Sequence, residues 1–312
     1  MKASALALAL MGTMVSAPAF AGIDWTKVPG KDIMLFYPGQ SSYEWVLTPS
    51  DHSGAIKVRE GKNCHECHVG EENTLGEHLV SGKKNEPTPI AGKPGFVKAT
   101  VKFAYDDKDM YVHIVFNPGR QPDAKMDPKY DTKVAMMLDA GGVPEANRFG
   151  CWAACHDNLT TMPSAEGATA RSMYLYKTRA AKLTAHGAPD GNKPDDDLAK
   201  LKASGYQLEY WQAKLNPGAP PVAVGGTIFD KRAEVPGAPV TADASLSNGT
   251  WSVTLMSPLA PGAPFADLVP GKTYTIGFAI HAGHTAHRFH YVSLERTMAI
   301  GQGAAEFVAV KQ

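Results

Sequence analysis

The 312-residue chain has no charge of either sign to spare: 31 Lys plus Arg are balanced by 31 Asp plus Glu. Without a basic surplus, nucleic acid is not an expected partner. Long apolar runs are also missing. After the first twenty or so residues, no segment approaches the roughly 20 apolar residues that span a bilayer. No transmembrane segment is therefore expected once that N-terminus is removed. Internal repeats and low-complexity tracts are absent. Cysteine is scarce, with four in the whole chain. Glycine (30) and proline (23) are plentiful and spread throughout, which favours a strand- and loop-rich fold over a helical bundle.

The N-terminus reads as a secretory signal. Lys2 supplies the positive start, residues 5–15 a short apolar core, and Ala19, Phe20 and Ala21 a small-residue cleavage site. The mature chain is expected to begin at Gly22, in the periplasm. The apolar run is short for a membrane anchor.

The four cysteines fall in two clusters, each followed by histidine: Cys64, Cys67, His68, and Cys151, Cys155, His156. The first has the spacing C-x-x-C-H, the attachment signature of c-type haem. Two thiols add across the porphyrin vinyl groups, and the adjacent imidazole binds the iron. The second, C-x-x-x-C-H, has one more residue but still lets two thioethers reach one porphyrin edge. Two covalently bound haems c are expected. Export agrees with this, because haem attachment of this kind takes place outside the bacterial cytoplasm. Two disulfides are the alternative in an oxidising compartment. Cysteines so close in sequence would close small, strained loops, and pairing would not explain the histidines. A tetrahedral zinc site would need the two pairs to meet in space.

Residues 22–95 read as a small, loop-rich segment carrying the first motif, with a strand over 32–37 and a short helix over 71–80. From residue 96 the pattern is period two. Val97, Ala99, Val101 and Phe103 alternate with polar neighbours, as do Val112, Ile114 and Phe116, predicting a hairpin over 97–116. Further strands are expected at 134–138, 251–255, 274–280 and 289–294. Helices are expected at 171–183 and 195–204, and loop with one edge strand over 215–240. The fold class is mainly β: a sandwich or barrel over 96–312 with short peripheral helices.

The run from Phe149 through Cys151, Cys155 and His156 to Met162 and Pro163 resembles the haem-binding domain related to the γ subunit of ethylbenzene dehydrogenase and similar molybdenum enzymes. Tyr174–Arg179, Gly277–Gly283 and Arg288–Ser293 carry the same resemblance, which covers roughly residues 96–310. It implies a β-sandwich holding one haem against its strands. The γ subunits use b-type haem with methionine and lysine ligands. Here a covalent motif is present and His290 stands where the lysine is expected, so the chain is similar to the c-type, free-standing branch. The segment from Trp45 to Gly82 resembles the monohaem domain fused to such proteins.

His68 and His156 are the proximal ligands these motifs predict. For the sixth ligand of the first haem, His52 is preferred over His78, with Met110 a more distant candidate. For the second, His290 is preferred over His281. Period two puts His290 with Val292 and Leu294, and His281 on the face of Gly277 and Ala279. His284 and His287 read as solvated turn residues, His113 as surface, and Met162 as packing. His186, in a polar loop, carries no assignment.

Histidine on both faces leaves iron no open position, so the expected activity is single-electron transfer rather than catalysis. Expected partners are other cytochromes, a membrane quinol-oxidising complex or a periplasmic oxidoreductase. The alternatives are an enzyme, should one iron be five-coordinate, and a haem subunit of a molybdenum enzyme.

Overall fold

The computed structural model describes residues 22–39, 43–83, 86, 88–150, 175–180 and 191–312. The fold is mainly β, as expected. The described strands are β1 (Gly30–Phe36), β2 (Phe96–Tyr105), β3 (Asp109–Phe116), β4 (Thr132–Asp139), β5 (Leu208–Leu215), β6 (Val222–Ile228), β7 (Arg232–Glu234), β8 (Thr241–Ser247), β9 (Thr250–Pro258), β10 (Thr273–Ala282), β11 (Tyr291–Ser293), β12 (Arg296–Ile300) and β13 (Phe307–Lys311). They form one sheet, eleven of them in the order β7-β6-β5-β4-β10-β11-β1-β2-β3-β9-β8, with β12 paired to β10 and β13, and β13 to β2. The two ends curl together, so that β8 and β9 lie over β5 and β6. Inside lies the main core, with Val101, Phe103 and Ile114 facing Trp211, Leu255 and Phe278.

The β2–β3 hairpin shows how sequence sets local form. Its alternating residues bury one row, and Asp106 closes the turn by accepting from the amides of Lys108 and Asp109, both at 2.8 Å. Strands β11 and β12 run one after the other along the same side of β10. Ala279 pairs with Val292 and Ile276 with Arg296. Three steps on β10 thus match four on its neighbour, which is a β-bulge around Leu294 and Glu295.

A second apolar cluster lies on the outer face, built on Phe36, Met137, Tyr210, Val292 and Leu294. Short helices cover it: α1 (Tyr43–Val46), α2 (Ala55–Arg59), α3 (Cys64–His68), α4 (Glu72–Val80), α5 (Ala146–Phe149) and α6 (Asp195–Ala203). No helix among the described residues is long and apolar enough to cross a membrane.

The hairpin, β4, β9, β10, α4 and α6 fall where the sequence puts them, to within a few residues. Other expectations are corrected. The first-motif region is helical rather than irregular, because its helices are too short to show a period. Residues 215–240 contain β6 and β7, hidden by glycine and proline. Of the helix expected at 171–183, the described part is a 3₁₀ turn, Tyr176–Thr178, followed by a bridge from Arg179 to Asn192. His113 is not plain surface. It is half-buried, stacked on Trp25 at 4.6 Å and bonded through Nδ1 to Thr254 Oγ1 at 2.9 Å. Burial, and then Lys102, lower its pKa to about 4.

A buried ion pair ties the first-motif region to the turn segment before β11 that bears His290. Arg288 donates to Glu86 through both terminal nitrogens, at 2.8 and 3.0 Å, and to Tyr37 Oη and Thr88 Oγ1. The Arg288 side chain is 5% exposed and that of Glu86 0%. Removing one partner strands the other charge away from water. Glu86→Ala should therefore cost about 3–5 kcal/mol of stability, read from denaturant midpoints.

Candidate functional site

A capping box forms the first motif. Asn63 Oδ1 accepts from the Glu66 amide at 2.7 Å, and Glu66 Oε2 accepts from the Asn63 amide at 3.0 Å. This starts α3 at Cys64, buries Cys64 and leaves Cys67 exposed. From the sheet side, the Glu295 carboxyl accepts through Oε1 from the His65 amide at 2.7 Å. Arg296 reaches His65 Nε2 at 3.1 Å and Glu72 at 3.4 Å.

Cys64, Cys67 and His68 line a cavity of about 380 Å³ together with His52, His78 and the apolar residues Phe36, Trp45, Val58, Leu79 and Leu294. The His52 and His68 ring centres are 6.1 Å apart, with planes tilted by 42°. Two metal–imidazole bonds of about 2 Å on opposite sides of one iron put ring centres roughly 6 Å apart; a tetrahedral pair would sit nearer 5 Å. The spacing fits an axial pair across a porphyrin. Hydrogen bonds set the tautomers. His52 Nδ1 meets the Val46 carbonyl at 2.9 Å, and His68 Nδ1 meets Glu71 Oε2 at 3.1 Å. Both arrangements direct Nε2 to a metal, as outer-shell partners of ligating histidines do. The thiol pair, the apolar lining and the opposed imidazoles all fit a c-type haem.

Gly54 allows this placement: a Cβ there would lie 3.0 Å from His52 Cε1. His78 also lines the cavity but is exposed. Met110 is corrected. It lies in the main core at 0% exposure and does not line the cavity.

A second cavity, of about 390 Å³, opens on the same outer face. His281 and His290 line it with Ala135, Met137, Ala279 and Tyr210. The two rings are 4.7 Å apart, too close to sit on opposite sides of one iron. At most one of them ligates. Both bond the His287 carbonyl, His290 through Nδ1 at 2.7 Å and His281 through Nε2 at 3.0 Å. His290 therefore has the usual ligand tautomer, and His281 stands beside it. Burial, and then His290 and Lys133, push the His281 pKa down. His287 is exposed and His284 half-buried in the turn, where His284 faces Asp123 at 3.2 Å. Unlike the first cavity, this one carries Lys129, Lys133, Lys214 and Arg232 against Asp127 and Glu234.

Cys151, Cys155, His156, Met162 and His186 lie outside the described residues. The flanks are described. Gly150 sits against Glu295, where a Cβ would come 3.1 Å from the Glu295 amide. Leu175 donates to the Phe229 carbonyl at 3.1 Å, next to Ile228 of the second cavity. His65 of the first motif and Gly150, the residue before the second, thus both adjoin Glu295. The sequence gives no warning of this residue, nor of the carbonyls of Val46 and His287. Only Glu71 could have been found, three positions after His68.

No family model matches the chain. Over 310 residues, 98% of this chain and 96% of the relative, it is 34% identical to cytochrome c-552 of Stutzerimonas stutzeri. The chain belongs to the c-type cytochromes. This cytochrome is also 27% identical to cytochrome c-551 of Rhodocyclus tenuis, over 93% of its own length and 99% of that relative. Among solved structures, a putative carbohydrate-binding protein from Bacteroides uniformis aligns over 70% of this chain and 77% of that one. The TM-score is 0.34 and the identity 10%, too remote to bear on fold or function.

Two measurements test the first site. His52→Ala should turn its low-spin optical spectrum high-spin, whereas His78→Ala should leave it low-spin. Burial raises the Glu295 carboxyl to about 7, so the fold keeps it protonated where the unfolded chain ionises. Its contribution makes stability fall as pH rises from about 4.5 to about 7, by on the order of 3 kcal/mol. Glu295→Gln should remove that slope from urea midpoints measured across this window.

Proposed function

We propose that this c-type cytochrome carries two covalently attached haems c and passes single electrons between redox partners in the periplasm. The observation that carries the reading is the 6.1 Å opposition of His52 and His68 in one apolar cavity with Cys64 and Cys67. Haem iron supplies the one-electron chemistry. The chain's own residues do the rest. Cys64 and Cys67 would fix the ring by thioethers, with His68 and His52 closing its two faces. Saturated coordination favours electron exchange over substrate binding, and paired imidazoles hold the potential below that of a histidine–methionine pair.

For the second haem we assign Cys151 and Cys155 to attachment, His156 to the proximal position and His290 to the sixth. In support, His290 is oriented through Nδ1, and Leu175, which follows the segment bearing the motif, bonds Phe229 next to Ile228 of that cavity. The cations of that cavity match the carboxylates a porphyrin bears. Cys67 is exposed, and the His68 side chain 28% exposed. The first site therefore opens to solvent and is the natural docking edge for another cytochrome, a quinol-oxidising complex or a periplasmic oxidoreductase. The first 21 residues we assign to an export signal.

The expected mass of the purified protein is that of residues 22–312 plus about 1.2 kDa, the addition two haems make. Its reduced spectrum should be low-spin throughout. A mass one haem short would remove the second site, and a high-spin component would turn the reading toward small-molecule chemistry.

A further inference from the structure

Both cavities open on the outer face of the sheet, and the strand register fixes how they adjoin. Paired residues on neighbouring strands point to the same face. Phe36 of β1 pairs with Val292 of β11, and Val292 pairs in turn with Ala279 of β10. Phe36 lines the first cavity and Ala279 the second. Two strand spacings, about 10 Å, separate their backbones. Along β11 the alternation gives the same answer. His290 lines the second cavity and Leu294 the first. They stand on either side of β11, four residues apart, with Val292 midway. The row across the strands and the row along one strand therefore cross at a single side chain. Val292 is 1% exposed and belongs to the outer apolar cluster. It lines neither cavity. Among the described residues no charged side chain is interposed at this crossing, where Phe36, Ala279, His290 and Leu294 adjoin Val292 on the face.

We propose that Val292 is the septum between the two cofactor sites and that one electron passes directly across it, leaving one iron as it reaches the other. The two sites then work as a coupled pair rather than as two independent carriers. The transfer needs no proton and no third reactant. It rests on the two-haem reading above. An electron entering at the solvent-open first site is shared with the cation-lined second site without a second docking event.

The test uses the full-length mature holoprotein, its two haems first confirmed by mass. Two chromophores this close should give a bisignate Soret circular-dichroism band. After a sub-stoichiometric pulse of reductant, the spectrum should relax by a first-order phase whose rate is unchanged on dilution. Val292→Glu puts a carboxylate beside both sites, so both midpoint potentials should fall, whereas Val292→Ile should leave both in place. If Val292→Glu does not fold, the wild-type dichroism and relaxation decide. A protein with two haems whose Soret dichroism lacks a couplet, or whose equilibration slows on dilution, overturns the septum and leaves the two-haem reading standing. A protein carrying one haem overturns both.

Discussion

One extra residue in one strand organises this molecule. Between Val292 and Arg296 the chain spends four residues against three on β10, and the alternation of faces changes sign. Before the bulge, Val292 and Leu294 lie in the outer cluster and Tyr291 in the inner core. After it, Met298 and Ile300 lie in the inner core. A strand of uninterrupted period two could not supply an outward-facing wall at one end and an inward-facing one at the other. The bulge also frees Glu295 from the ladder. Its carboxyl reaches the His65 amide and its backbone receives Gly150. His65 and Gly150, far apart in sequence, are brought to one point by this local irregularity.

The second constraint is that both faces of the sheet are apolar. A sheet of this kind must be covered on both sides. The inner face is closed by curling the sheet on itself. Among the described residues the outer face is covered by short helices, which leave one cavity between them, while a second is lined by strands and loops. This explains why α1 to α4 bury so little on their own. On the proposed reading they are the rims of a site whose centre a flat apolar ring would fill. Export and covalent attachment would then be part of folding, because the cofactor completes a core that the side chains leave open.

Much of the fold was legible because it obeys period two. The hairpin over 97–116, the strands near 134, 251 and 274, and the pairing of Cys64 and Cys67 with His68 all show in the residues themselves. So does the placement of His281 on the small-residue face of β10. What stayed hidden has physical reasons. Helices of four or five residues, such as Ala55–Arg59 and Cys64–His68, are shorter than two turns and show no amphipathic repeat. Strand β6 contains Gly225 and Gly226 because neighbouring side chains pack against its backbone. A Cβ at Gly226 would lie 2.4 Å from Tyr210 Oη. Orientation of the histidines depends on main-chain carbonyls and on Glu295, whose positions are set by tertiary register.

The two cavities differ in a way that follows from their walls. In the first, Lys57 is the one Lys, Arg, Asp or Glu among the described lining residues, the rest being mostly apolar with histidines, cysteines, Ser53 and Asn63. In the second, Lys133 is held by Asp127 at 2.5 Å and Lys214 by Glu234 at 2.6 Å. Arg232 lies over Tyr210 at 4.1 Å and bonds Gln212 at 3.1 Å. Charges already partnered in this way are pre-organised. They can meet an anionic group without paying again for ordering long side chains. An apolar wall instead favours whichever redox state carries less charge. One sheet face therefore offers two electrostatic environments two strand spacings apart, and on the proposed two-haem reading unequal potentials there would give electron movement between them a direction.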